Sequence, residues 1–245
     1  MDKLTIVIPA YNEEKNIGST LESLKGSVDP RWLVLVVNDH SKDRTREIAE
    51  SRSNLGFSVK VMDNPLEQGY AWALKAGLES VDEGVVVIMM ADLCDDPRAL
   101  TAMYEKISQG YDVVCASRYS THGARLGGSR VKGFLSRSAG WLVGKIIGVN
   151  TRDATNAYKM FRVGMLKKID IEPASFATPM EILLKFHFAG ARASEVPTVW
   201  KERSRGESYF IFRKVFKDYL YWFSWAIYKR ILKALSPSGV CRNDE

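Results

Sequence analysis

Leu4-Thr5-Ile6-Val7-Ile8-Pro9-Ala10-Tyr11-Asn12-Glu13-Glu14 runs from an apolar stretch, through a proline, into a polar acidic turn. An unbroken apolar run this short, stopped by proline, reads as a strand buried on both faces. From Glu14 to Leu24 the apolar residues Ile17, Leu21 and Leu24 follow helical spacing, so a helix comes next.

The same alternation repeats downstream. Trp32–Val37 predicts a strand and Asp43–Glu50 a helix. Phe57–Met62 predicts a strand and Ala71–Leu78 a helix. Val85–Met90 is the most apolar run and is expected at the centre of the sheet. A helix follows from Pro97, with proline in its first turn, and Asp112–Ala116 is the fifth strand. Strands alternating with helices imply an α/β fold, a mostly parallel central sheet with helices on both faces. Ligands of such sheets bind at the carboxyl ends of the strands, so Pro9–Glu13, Asn38–Asp43, Ala91–Asp96 and Ser117–Tyr119 are the loops that matter.

Beyond Tyr119 the pattern loosens. Thr121–Arg130, rich in Gly and Arg, reads as a mobile loop. Val131–Ile147 and Pro179–Phe188 read as helices, Ala157–Phe161 and Ala193–Trp200 as strands. A long aromatic helix is expected over Tyr209–Leu235. The division is a large domain over 1–208 and a basic, aromatic, amphipathic C-terminal helix and tail over 209–245.

Composition limits the function. Hydrophobic residues make up 46% and charged residues 26% of the 245, the globular mix, which excludes disorder and collagen. Cys94, Cys115 and Cys241 are odd in number and form no CxxC pair, which argues against a disulfide framework and a structural zinc site and for a reducing compartment. Met1-Asp2-Lys3-Leu4 leads straight into the first strand, so no secretory leader is expected. No apolar run reaches the ~18 residues of a membrane span. The net charge of +6 suits an anionic partner.

The strand-end loops carry the candidate chemistry. A Gly-x-Gly-x-x-Gly turn and a P-loop are both absent after the first strand. Pro9 stiffens the exit instead, Tyr11 offers a stacking face, and Glu13 can accept hydrogen bonds from a sugar or base. A capped helix start with acids at its positive end explains the same residues structurally. Asp39 sits where a carboxylate can pair with a nucleobase edge; His40 reads as an exposed loop residue. Asp92, Asp95 and Asp96 form an acidic cluster suited to holding a hard divalent cation against a diphosphate. Asp96 is assigned to capping, Asp92 to the ligand, and Cys94 to neither. Arg118 and Arg203, at strand ends, suit a phosphate leaving group.

Taken in order, these segments resemble the inverting family 2 glycosyltransferases of GT-A fold, and within them the branch of dolichyl-phosphate mannose synthases and other polyprenyl-phosphate sugar synthases. The matching stretches are Ile6–Glu14, Val36–Ser41, Asp43–Thr45 with Ile48-Ala49, Gly69–Gly77, Ala91–Leu93, Ala116–Tyr119, Asp153–Arg162, Glu195–Pro197 and Arg203–Ser208. The resemblance implies a nucleoside pocket lined by Pro9, Tyr11, Glu13 and Asp39. It implies that Asp92 serves the metal and diphosphate, that Arg118 and Arg203 contact phosphates, and that Glu181 is an acceptor-side acid. The family usually carries Asp-x-Asp after the fourth strand; here Met90 replaces the first Asp. A thioether is a poor ligand for Mg²⁺ or Mn²⁺, and Asp95 is placed to compensate, giving Asp92 and Asp95 as the metal pair. Many relatives also carry transmembrane helices after the catalytic domain, which this sequence does not show.

The implied reaction moves a hexose from a nucleotide-diphospho-sugar, GDP- or UDP-linked, to a lipid-phosphate acceptor. Between Lys201 and Lys233 nine basic residues face three acidic ones, interleaved with ten aromatic side chains. That pattern suits a helix lying on a membrane surface, hence a peripheral location on the cytoplasmic membrane face. Packing on the domain, or on a second copy in a homo-oligomer, is the structural alternative. Two further readings compete: a saccharide or other hydroxyl acceptor, with Glu181 as base, and a nucleotide-sugar-binding domain whose catalysis is impaired at Met90. The basic residues lie on a hydrophobic tail, not a polar groove, and no nucleic-acid motif occurs, so a nucleic-acid partner is not expected.

Overall fold

The computed structural model describes residues 3–52, 55–172, 175–203, 205–206 and 212–235, with 212–214 by backbone only. Strands β1 (Leu4–Ala10), β2 (Leu33–Asn38), β3 (Ser58–Asp63) and β4 (Val85–Ile88) alternate with helices α1 (Ile17–Ser23), α2 (Thr45–Glu50) and α3 (Tyr70–Glu79). Helix α4 (Ala99–Ser108) and strand β5 (Val113–Ser117) continue the alternation. Then follow β6 (Ala124–Leu126), α5 (Arg130–Leu142), β7 (Lys159–Arg162), α6 (Val163–Leu166), α7 (Thr178–Phe188), β8 (Ala193–Pro197), β9 (Val199–Lys201) and α8 (Phe212–Leu235).

Seven strands form one sheet in the order β3-β2-β1-β4-β7-β5-β8, which puts the apolar β4 in the middle as expected. All neighbours are parallel except β7, which runs antiparallel between β4 and β5. Alternate strand residues serve opposite faces. Ile6, Ile8, Val85 and Val87 pack with α1 and α4 residues such as Leu21 and Met103. Val7, Val86 and Ile88 pack with Leu74 of α3, Leu183 of α7 and Trp222 of α8. A helix layer therefore covers each face, and α8 joins the core through Trp222 and Ala226, both essentially inaccessible.

Three sequence expectations change. The stretch 121–130 is not simply a loop: Ala124–Leu126 pairs with Val199–Lys201 in a small parallel ribbon. The expected strand 193–200 is two strands, because β8 pairs with β5 up to Pro197 and β9 leaves for the ribbon. The expected helix 131–147 is α-helical to Leu142 and then widens into a π-helical turn, Val143–Ile147. The first residues of the tail, and Ser204, Glu207, Ser208 and Cys241, lie outside the described residues.

The packing of α3 on the sheet is close. A Cβ on Gly77 would lie 2.6 Å from Val7 Cγ1 and 2.8 Å from Val37 Cγ2. Gly77→Ala should therefore destabilise the fold by about 1–3 kcal/mol, the usual cost of overpacking, read as a lower midpoint in urea titration at unchanged slope.

Candidate active site

The carboxyl ends of β1, β2, β4 and β5 open onto a single cleft of about 970 Å³. Pro9, Tyr11, Glu13, Asp39, Asp92, Asp95, Arg118 and Arg203 all line it. The parallel sheet brings most of them together, at the carboxyl ends of β1, β2, β4 and β5; Arg203 arrives instead from the end of β9, in the β6–β9 ribbon. Three non-glycine residues in these loops, Asn12, His40 and Leu93, hold positive φ values of 51°, 57° and 64°. For Leu93 this conformation is costly, of order 1–3 kcal/mol. It is retained beside Asp92, whose Oδ1 accepts from the Cys94 N–H at 3.1 Å.

Each carboxylate is fixed by a specific partner. Glu13 binds Arg203 Nη2 at 3.0 Å through both oxygens and Asn16 Nδ2 at 2.6 Å. Burial raises the Glu13 pKa above the ordinary carboxylate value, Asn16 and Arg203 oppose the rise, and Asp92 adds to it. Asp39 accepts from the Gly69 N–H at 2.9 Å and 3.2 Å and from Asn64 Nδ2 at 2.8 Å, which anchors the start of α3. Gly69 itself holds a φ of 148°, a conformation that favours glycine. Asp96 accepts from the Arg98 N–H at 3.1 Å in the turn before α4, but the N-cap position itself is Arg98 and carries no side-chain cap, so the capping expected of Asp96 is replaced by a turn contact.

Asp95 is buried and accepts from the Met90 N–H at 3.0 Å. Burial, with Asp92 adding to it, pushes its pKa up to about 7. Among the described residues no cluster of three or more metal-ligating side chains exists. The donor set is two hard carboxylates, Asp92 and Asp95, on one wall of the cleft. That set fits a divalent cation whose other ligands are diphosphate oxygens and water, the usual habit of Mg²⁺; such a cation would offset the Asp92 charge that adds to the effect of burial on Asp95. Cys94 is buried and its thiol is pushed up, chiefly by burial and then by Asp92, so it stays protonated.

Arg118 is held by Asp153, which is fully buried: Nε to Oδ2 and Nη2 to Oδ1 are both 2.7 Å. Nη2 also reaches Ser136 Oγ of α5 at 3.0 Å and Thr155 Oγ1 at 3.2 Å. Glu181 is not brought to the cleft. Its carboxylate is buried on α7, where Oε1 binds Lys185 Nζ at 2.9 Å and the Glu172 N–H at 2.7 Å. The helix turns Met180 to the cleft and Glu181 away from it, so the expected acceptor-side acid has no path to an acceptor there.

Sequence reading missed Arg125, Lys132 and Ser136, which also line the cleft. Arg125 stacks over Trp200 at 5.0 Å across the β6–β9 ribbon. No spacing signal marked them, because they enter from outside the sheet. The cleft also has an apolar wall, drawn from Leu135 and Leu142 of α5, Met180 of α7 and Phe216, Leu220 and Phe223 of α8.

The sequence pattern of glycosyl transferase family 2 matches residues 5–170. The chain is 30% identical over 210 residues to the dolichol-phosphate mannosyltransferase of Pyrococcus furiosus, a match covering 84% of this chain and 58% of that protein. It is also 30% identical over 212 residues to the undecaprenyl-phosphate mannosyltransferase of Micrococcus luteus, covering 84% and 86%. Thus the chain spans less than two thirds of the Pyrococcus relative's length and most of the Micrococcus one. Among solved structures it resembles glucosyl-3-phosphoglycerate synthase from Mycobacterium tuberculosis, in a complex with Mn²⁺, UDP and glucosyl-3-phosphoglycerate. The TM-score is 0.65 at 17% identity, covering 97% of this chain and 82% of that one, a likeness of fold.

Two outcomes follow from the fixed carboxylates. Removing Arg118 as Arg118→Ala leaves Asp153 buried and unpaired, so stability should fall by about 3–5 kcal/mol, measured by denaturant unfolding. Asp95 has a folded pKa near 7 against an ordinary 3.8. The folded state thus holds the proton more tightly, and the stability this contributes is complete below about pH 4 and lost as pH rises through about 7. In metal-free protein, subtracting the Asp95→Asn pH–stability profile from the native one should isolate that decline.

Proposed function

The chain belongs to glycosyl transferase family 2, and from that membership we propose that it transfers a hexose from a nucleotide-diphospho-sugar to a polyprenyl phosphate, inverting the anomeric centre. The observation that carries this reading is the mixed lining of the cleft. Asp39, Asp92, Asp95 and Arg203 supply charged groups, and α5, α7 and α8 supply an apolar wall. A nucleotide sugar suits the first set and an isoprenoid chain the second. Arg118, Lys132 and Ser136 line the same cleft and are the groups suited to an acceptor phosphate.

An acceptor phosphate oxygen attacks the anomeric carbon, and the bond from that carbon to the diphosphate oxygen breaks, its electron pair leaving with the nucleoside diphosphate. A phosphate monoester has its second pKa near ~6 and is already largely ionised at neutral pH, so no side chain has to remove a proton. The burial of Glu181 away from the cleft agrees with this and disfavours a hydroxyl acceptor that would require that base. Arg203 faces the leaving diphosphate and exchanges part of its pairing with Glu13 for it. Asp92 and Asp95 are the residues that would hold Mg²⁺ or Mn²⁺, which supplies positive charge at the departing diphosphate. The names of the two mannosyltransferase relatives make mannose the first sugar to test.

The exposed faces of α5 and α8 support a location at a membrane surface. Among the described residues no helix is long and apolar enough to cross a membrane. Yet Val131, Phe134 and Trp141 of α5 are 67%, 70% and 59% exposed, and Tyr221, Tyr228 and Ile231 of α8 are exposed as well. Lys132, Arg137 and Lys145 accompany the first set and Lys229, Arg230 and Lys233 the second. Apolar and basic residues presented together suit the surface of an anionic bilayer, which would be the cytoplasmic face in the reading of the sequence.

The test is transfer itself. Incubated with labelled GDP-mannose or UDP-glucose, polyprenyl phosphate and Mn²⁺ or Mg²⁺, the protein should move label into the organic phase, and a chelator should stop it. Arg203→Ala should lower the rate by about 10²–10³-fold, the usual effect of removing one transition-state charge partner. Label confined to the aqueous phase, with donor binding intact, would refute the lipid acceptor.

A further inference from the structure

Five buried side-chain atoms among the described residues have no hydrogen-bond partner, and only one of them, the Tyr70 hydroxyl, belongs to a residue lining the cleft. Tyr70 is the first residue of α3, next to the Gly69 N–H that Asp39 holds. Its ring stacks on Phe176 with centroids 4.6 Å apart and planes 9° from parallel, so the direction of its hydroxyl is fixed. Asp92, Asp95 and Tyr219 are near enough to act on the phenol electrostatically. Tyr219 is differently placed: its hydroxyl already donates to the Phe176 carbonyl at 3.3 Å.

A buried hydroxyl with no partner is destabilising, and phenylalanine would stack on Phe176 equally well without that cost. The missing partner is therefore expected to arrive with a ligand. Tyr70 lines the same cleft as Asp92 and Asp95, where the diphosphate is assigned, and as Tyr219 of the α8 wall, and all three act on its phenol electrostatically. In a transfer reaction the group lying between leaving diphosphate and acceptor is the sugar. We propose that the Tyr70 hydroxyl hydrogen-bonds a hydroxyl of the sugar being transferred, an inference that rests on the donor reading above. A phenol both donates and accepts, as a sugar hydroxyl does. Burial chiefly, with Tyr219, Asp95 and Asp92 adding to it, raises the phenol's pKa, so it acts as a neutral hydrogen-bonding group and not as a base.

The experiment compares the native protein and Tyr70→Phe by calorimetric titration in Mn²⁺ with GDP-mannose and UDP-glucose, and with GDP and UDP. For the sugar nucleotide that the native protein binds, Tyr70→Phe should bind about two- to tenfold more weakly, the worth of one net hydrogen bond. The corresponding nucleoside diphosphate should bind unchanged. The melting temperature should stay level or rise by about 2–4 °C, because the substitution removes a polar atom that nothing satisfies. Equal weakening of sugar nucleotide and nucleoside diphosphate, unchanged binding of both, or a lower melting temperature would overturn the assignment. If the native protein binds neither sugar nucleotide, the donor reading fails and the Tyr70 role with it. If it binds a donor but does not glycosylate lipid, only the acceptor reading fails, and the Tyr70 comparison still decides its own case.

Discussion

Asp153 is fully buried, and its two oxygens are taken up by Arg118: the backbone N–H at 2.9 Å, Nε and Nη2 at 2.7 Å. This pair connects the end of β5 to the segment leading into β7, the antiparallel strand inserted next to β4. Through Ser136 the same guanidinium reaches α5. The floor of the cleft, its α5 wall and the middle of the sheet are thus tied at one buried charge. Lys159 nearby extends the arrangement, as its ammonium binds the carbonyls of Ala154 and Asn156. A buried ion pair of this kind is weak as a source of net stability but strong as a constraint on geometry, because breaking it strands a charge.

With that floor fixed, carboxylates and arginines meet in one cleft. Glu13, Asp39, Asp92 and Asp95 converge there, and the two arginines that face them are each already paired with a carboxylate. The raised pKa values of Glu13 and Asp95 come first from burial, and Asp92 adds to both. Burial and like charge both disfavour the ionised carboxylates, and a neighbouring cation would favour them.

The second wall comes from elements outside the doubly covered sheet. Helix α8 buries Trp222 and Ala226 in the core while turning Phe216, Leu220 and Phe223 toward the cleft and other apolar residues toward solvent. Helix α5 does likewise with Leu135 and Leu142 inward and Phe134 and Trp141 outward. Helix α8 therefore packs on the domain along one side, and the proposed membrane contact concerns only its exposed side.

The first half of the fold was legible in the sequence, since strand and helix periodicities up to β5 are local and the strand-end rule then names the ligand loops. Pro9, Tyr11, Glu13, Asp39, Asp92, Asp95 and Arg118 were found that way, and Arg203 by its place after the last strand. Glu181 was misplaced for a geometric reason: its neighbour Met180 faces the cleft, and one residue on a helix is a rotation of about 100°. Lys132, Ser136 and Arg125 carry no periodic signal, because their role depends on α5 and the β6–β9 ribbon folding back over the sheet. Tyr70 has no signal at all in one dimension, since an unpartnered hydroxyl is defined by everything around it. The sequence alone determined the alternating elements and the chemistry at their ends, which local pattern encodes. Only the tertiary structure decided which side chains share one cleft and which hydrogen bonds are left unmade, because those depend on contacts between segments far apart in the chain.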